Sequence, residues 1–157
     1  MPPYVIDASI WIRLWRNHPP DVFTHLWDQL DASVAAGEVI SPEEVLRELE
    51  RGSDDLAETL ACRPGLAGLF VPLDEAVMVA VGAVLTALPD LVDENAERNR
   101  ADPFVVALAR VRGGAVVTGD RPRGGPTGRP RIPDACAHFG VECLDWFGFL
   151  RAVGWRL

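Results

Sequence analysis

Short apolar, β-prone runs alternate with helix-patterned segments along this chain, and the alternation restricts its fold more than any other feature. The runs occupy residues 4–6, 38–40, 69–72, 115–118 and 141–144. Each is too short for a helix and is bounded by turn or capping residues, so each reads as a buried strand. The segments between them read as helices: residues 21–36 set Phe23, Trp27, Leu30 and Val34 at intervals of four, three and four, one apolar face that Gly37 stops. Strands separated by helices pair through crossovers, which are right-handed and give a parallel sheet. The expected fold class is therefore α/β, with three α/β/α layers around a twisted, mainly parallel sheet of about five strands. A length of 157 residues fits one domain over 1–157.

Capping residues mark the helix boundaries. SPEE sets Ser41 as an N-cap, Pro42 as the first helical residue and Glu44 as the return partner of a capping box. That gives Glu44 a structural use and favours Glu48, one turn further on, for chemistry. Asp74 caps an apolar helix over 75–88, Asp102 is the N-cap before Pro103 of a helix that Gly113 stops, and Asp145 caps a final helix with Trp146, Phe147 and Phe149. A first helix carries Trp11 and Trp15, and 53–62 and 133–140 are further helices. Residues 90–100 are a polar loop or short helix, and 119–131, GDRPRGGPTGRPR, is an irregular loop.

Fifteen arginines and no lysine supply the basic charge. This excludes P-loop phosphate binding, Schiff-base chemistry and any lysine nucleophile or base. A net charge of −8 argues against general nucleic-acid affinity, yet residues 1–102 hold 19 acids against 7 Arg while 103–157 hold 4 against 8. Such an asymmetry permits a local phosphate-binding surface within a repulsive mean field. Cys62, Cys136 and Cys143 are expected as free thiols, and zinc at Cys136, His138 and Cys143 is disfavoured because no second ligand pair has the usual spacing. No apolar run approaches the ~18 residues of a membrane span. MPPYVIDAS lacks the pattern of a secretory signal, so a cytoplasmic location and no membrane partner are expected.

Four carboxylates fall where strands end or helices begin: Asp7 in YVIDAS, Glu48 in SPEEVLREL, Asp102 in ADPFVVALA and Asp120 in VVTGD. In an open parallel sheet the crevice lies outside the carboxyl ends of the strands, so Asp7 and Asp120 share it if their strands are neighbours. Helices opening at that edge bring Glu48 and Asp102 to it. Close carboxylates repel one another, and a hard divalent ion, Mg²⁺ or Mn²⁺, is the natural compensation. Two ions about 3.5–4 Å apart would activate a water and stabilise the leaving oxygen of a phosphodiester. Each acid also has an ordinary use alone: Asp102 as a helix cap, Asp120 in a turn, Glu48 on a solvated helix face. Asp7 stands out because an acid directly ending an apolar strand needs a partner. Ser9 and Thr118 read equally as ligand contacts or as local caps.

The succession YVIDAS, PEEVLREL, ADPFVVALA and VVTGD, in this order over most of the chain, resembles the PIN-domain nucleases. More closely, PPDVFTHLWDQL, GEVISPEEVLREL, FVPLD, IPDAC and the terminal GW are similar to a prokaryotic PIN subfamily catalogued as a domain of unknown function. The resemblance implies that Asp7, Glu48, Asp102 and Asp120 form an acidic Mg²⁺ or Mn²⁺ site with Ser9 as a polar neighbour, and that the activity is endoribonucleolytic on single-stranded RNA. Compact prokaryotic PIN proteins often resemble VapC-type toxins, which adds a cognate antitoxin and a homodimer to the implied partners. The 119–131 loop departs from the pattern, being longer than the short turn usual after the fourth acid. Its Arg121, Arg123, Arg129 and Arg131 would neutralise RNA phosphates beside the acids, with Arg121 and Arg123 foremost.

Two other readings stay open. One is a PIN-like module that binds RNA or a protein without cutting; the other is a phosphohydrolase of small molecules. A haloacid-dehalogenase-like enzyme is disfavoured, because Asp7 has no second acid two positions on and the chain has no lysine.

Overall fold

A computed structural model of the chain describes residues 2–52, 54–93 and 99–157. Its elements are β1 (Tyr4–Ile6), α1 (Ala8–Asn17), α2 (Thr24–Ala35), β2 (Val39–Pro42), α3 (Glu43–Gly52), α4 (Asp54–Cys62), β3 (Phe70–Val71), α5 (Glu75–Ala87), α6 (Asp102–Arg112), β4 (Ala115–Val117), α7 (Ile132–Phe139), β5 (Glu142–Leu144) and α8 (Trp146–Val153). Single 3₁₀ turns cover Pro64–Leu66 and Pro89–Leu91. Of the polar segment expected at 90–100, residues 94–98 lie outside the described residues.

The strands form one all-parallel sheet in the order β3-β2-β1-β4-β5. β1 is central because both its neighbours and both sheet faces bury it: Val5 and Ile6 are solvent-free, as are Val116 and Val117 of β4. The chain steps from β1 to β2 to β3 in one direction, then returns past β1 to β4 and β5 in the other. Right-handed crossovers therefore put α1 to α4 on one face and α5 to α7 on the opposite face, which is the expected three-layer α/β/α arrangement. The returning helix α6 is the most enclosed, with Val105, Val106, Ala107, Leu108 and Ala109 all buried. Trp11 of α1 and Trp27 of α2 are likewise fully buried, as their spacing suggested. Among the described residues no helix is long and apolar enough to cross a membrane.

Several caps follow from sequence. Asp74 Oδ1 accepts the Val77 N–H at 2.9 Å and Asp145 Oδ1 accepts that of Gly148 at 2.6 Å. Gly113 ends α6 at φ 64°, in the left-handed region that glycine adopts without a Cβ clash. Gly114 beside it has a different constraint: a Cβ there would run into the Pro3 carbonyl oxygen, which accepts the Ala115 N–H at 3.1 Å where β4 joins β1. The cysteines are free thiols, Cys62 exposed, Cys136 buried and Cys143 half-buried.

The capping box at SPEE does not form. β2 continues through Pro42 and α3 opens at Glu43. Ser41, fully buried, donates its hydroxyl to the Ile6 carbonyl at 2.7 Å and accepts from Trp11 Nε1 at 3.1 Å. Tertiary burial overrides the local pattern, since each of those polar groups would otherwise be left unpaired in the core at a cost of about 1–3 kcal/mol. Glu44 instead pairs with Arg47 at 3.0 Å. Ser41→Ala is expected to lower stability by about 2 kcal/mol, seen as a fall of roughly 4–8 °C in Tm with an unchanged far-ultraviolet circular dichroism spectrum.

Candidate acidic site

β1 ends at Ile6, and Asp7 takes the N-cap position of α1 with extended backbone (φ −80°, ψ 157°), so its carboxylate stands at the carboxyl edge of the sheet. Only 4% of Asp7 is exposed. Its Oδ2 accepts two hydroxyls, Ser9 Oγ at 2.7 Å and Thr118 Oγ1 at 3.0 Å. Each hydroxyl also accepts a backbone N–H from the exit of β4: Ser9 Oγ from Gly119 at 2.9 Å, Thr118 Oγ1 from Asp120 at 3.1 Å. β1 and β4 are paired with Ile6 opposite Val117, so the two exits lie side by side and the hydroxyls lace them together. This seam is where the strand order reverses, the place where open α/β sheets form their crevice.

Glu48 and Asp102 reach the same edge from two helices. Glu48 lies one turn into α3, and its Oε1 accepts the Asn99 N–H at 3.3 Å. Asn99 is the one non-glycine residue at positive φ (67°) among the described residues, a conformation that Asn tolerates better than most side chains. Its carbonyl accepts the Asp102 N–H at 3.2 Å, which sets the start of α6. Asp102 is itself the first residue of α6, with Ala101 at the N-cap and no cap bond from a side chain, so the cap expected of Asp102 does not form. Five per cent of it is exposed.

The four acids act on one another. Burial, then the Asp7, Glu48 and Asp120 carboxylates, push Asp102 up to about 9, against a smaller downward pull from Arg129. Glu48 is raised by burial and by Asp7, opposed by the backbone N–H groups of Asn99 and Ala101. Asp120 is raised by burial and by Asp7, opposed by Arg131. Burial raises Asp7, opposed by its Ser9 and Thr118 hydrogen bonds. The fold thus gathers all four sequence-selected acids into one neighbourhood, with Ser9 among them.

Asp102 and Asp120 line a cleft of about 340 Å³ together with Asn99, Arg123, Arg129 and Arg131. Arg121 is exposed and does not line it. Larger clefts of about 430 and 800 Å³ hold none of the four acids. Sequence reading left Thr118 undecided and missed Asn99. Thr118 is the last residue before the Gly119–Asp120 turn, and an Asn three residues before a helix-opening Asp is the signal that marked Asn99.

Four carboxylates are a hard oxygen donor set, the type that suits Mg²⁺ or Mn²⁺. Glu48 Oε2 is buried without a hydrogen-bond partner, an orphaned acceptor that a cation would satisfy. Among the described residues no three Asp, Glu, His or Cys side chains are already drawn together as ligands of one ion.

Fold and edge together define an α/β/α protein with a PIN-like fold, its four acids grouped at the strand-order reversal. The chain belongs to the family described as "Domain of unknown function (DUF4411)", whose model matches residues 4–157. Among solved structures it is similar to the crystal structure of FitAcB from Neisseria gonorrhoeae, at 21% identity and a TM-score of 0.55, over 90% of this chain and 96% of that one. No curated protein matches the chain.

An Asp raised from 3.8 to about 9 holds its proton in the folded state across that interval while the unfolded chain has released it. Its contribution to stability is therefore complete below about 3.8 and is lost as pH rises through about 9. In chelated buffer, wild-type Tm is expected to fall from pH 5 to pH 8. Asp102→Asn should fall less, and should exceed wild type at pH 8 by roughly 2 kcal/mol or more, as read by thermal denaturation at the two pH values.

Proposed function

We propose that the protein is a metal-dependent endoribonuclease in which Asp7, Glu48, Asp102 and Asp120 hold Mg²⁺ or Mn²⁺. Asp102 carries this reading: it is almost wholly buried, lies among three other carboxylates, caps nothing, and is pushed up to about 9 with only protein around it. A core acid of that kind is a stability cost with no structural return, which is the usual mark of a functional group. When bound, a divalent ion supplies Lewis acidity and a water acidic enough to attack a phosphodiester at neutral pH.

The chain's own groups supply position. The Ser9 and Thr118 hydroxyls fix Asp7 through Oδ2, and the Asn99 N–H fixes Glu48 through Oε1 while its Oε2 stays unpaired. Asp120 is placed by its own N–H on Thr118. Hydrogen bonds of this kind hold carboxylates in one orientation, so little reorganisation remains when charge develops on a substrate.

The resemblance of the sequence to VapC-type proteins, together with the fold shared with FitAcB, supports a narrower version. In it the protein is a cytoplasmic toxin, a homodimer silenced by a cognate antitoxin. The competing version, a PIN-like module that binds RNA or a protein without cutting, draws on one observation: among the described residues no ready-made three-ligand arrangement exists.

Expression of wild type and Asp7→Asn in a bacterial host, followed by sequencing of new 5′ ends across total RNA, separates the two versions. New ends at defined sites with wild type alone are expected, with Asp7→Asn reducing them at least about a hundredfold. Identical profiles from two folded, abundant proteins would favour the module that does not cut.

A further inference from the structure

The 119–131 loop is held at two places. Asp134 Oδ2, in the first turn of α7, accepts the backbone N–H of Arg123 at 3.0 Å and of Arg131 at 2.8 Å, which draws these two arginines of the loop together. Arg129 fastens the other side. Its Nε donates to the Asp90 carbonyl at 2.7 Å, its Nη2 to the Leu91 carbonyl at 3.3 Å, and its Nη1 pairs with Asp93 Oδ2 at 3.0 Å. A guanidinium with all three nitrogens engaged has little left for a ligand, so Arg129 is an anchor, unlike the substrate contact its sequence position suggested.

Arg123 and Arg131 are different. Both line the cleft that Asp102 and Asp120 line, and neither guanidinium forms an ion pair among the described residues. Arg131 is near enough to Asp120 to pull its carboxyl down, without a direct bridge. Opposite charges that share a cleft and yet do not neutralise each other leave both free for a third party. The acids take a cation and the guanidiniums take an anion, and a nucleic-acid phosphate beside a divalent ion meets both needs.

We propose that Arg123 and Arg131 form a phosphate subsite that takes a backbone phosphate of single-stranded RNA next to the four acids, on a loop fixed by Arg129 and Asp134. The subsite rests on the RNA-cutting reading of the acidic site and assigns its substrate wall. Arg121, outside the cleft, is not part of it.

A labelled single-stranded RNA, followed by fluorescence anisotropy over a salt series, tests the subsite in the Asp7→Asn chain, where cleavage does not interfere. Each phosphate contact on a single strand contributes about 0.7 to the slope of log Kd against log salt. Arg123→Ala and Arg131→Ala are each expected to reduce the slope by about that amount and to weaken low-salt binding roughly tenfold, with the Tm of the parent. Arg110→Ala removes the same charge at the opposite edge of the sheet, where Arg110 stacks on Phe139 at 4.7 Å, and should leave the slope unchanged. Slopes equal to the parent's in both loop variants, or an equal loss in Arg110→Ala, would overturn the subsite while leaving the nuclease reading intact. A parent that does not bind RNA at all would overturn the nuclease reading and the subsite with it.

Discussion

Two hydroxyls on one carboxylate oxygen hold the working edge of this protein together. Asp7 Oδ2 receives Ser9 and Thr118, and each of those side chains also takes an N–H from the segment leaving β4. The backbone joins the two strands here as well, the Asp7 N–H donating to the Val117 carbonyl at 3.0 Å, and the hydroxyls extend the join past Val117 to the buried carboxylate. Gly119 shows how close the seam is: a Cβ at that position would sit 3.3 Å from Ser9 Oγ, so the hydroxyl would have to give way. The placement of Asp120 depends on this contact, through its N–H on Thr118 Oγ1.

Around the seam the protein accepts unfavourable electrostatics. Every one of the four acids is raised from its ordinary value, with burial the largest cause in each case. The repulsion lies at one edge; at the opposite edge Gly114 packs tightly on Pro3 beside a cleft of about 430 Å³. At the periphery Arg129 and Arg131 temper Asp102 and Asp120 without bridging them.

The layers were legible because they follow from periodicity. All five strands and the helices between them appear where the apolar runs and helical spacings put them, with edges moved by up to three residues, the largest shift being α2, which starts at Thr24 and leaves Phe23 at its N-cap. The four acids were legible as a set because each stands at a strand exit or in the first turns of a helix. Where the local signal failed, packing was the cause. Ser41 matches an N-cap in sequence, but the buried Trp11 N–H and Ile6 carbonyl claim its hydroxyl. Asp102 also matches a cap, yet α6 starts at Asp102 and turns its carboxylate to the acids. The division of the arginines could not be read at all, since only the fold brings Asp90, Asp93 and Asp134 to the loop.

If the buried acids exist to receive a divalent ion, the ion must displace the proton that Asp102 holds at neutral pH. Calorimetric titration of the chelated wild-type protein with Mg²⁺ or Mn²⁺ at pH 7.5, in two buffers of different ionisation enthalpy, reads that displacement. Saturable binding with net proton release, reduced in Asp102→Asn, is the predicted result. No binding heat, or binding whose heat is the same in both buffers, would contradict the claim that these four carboxylates form a metal site.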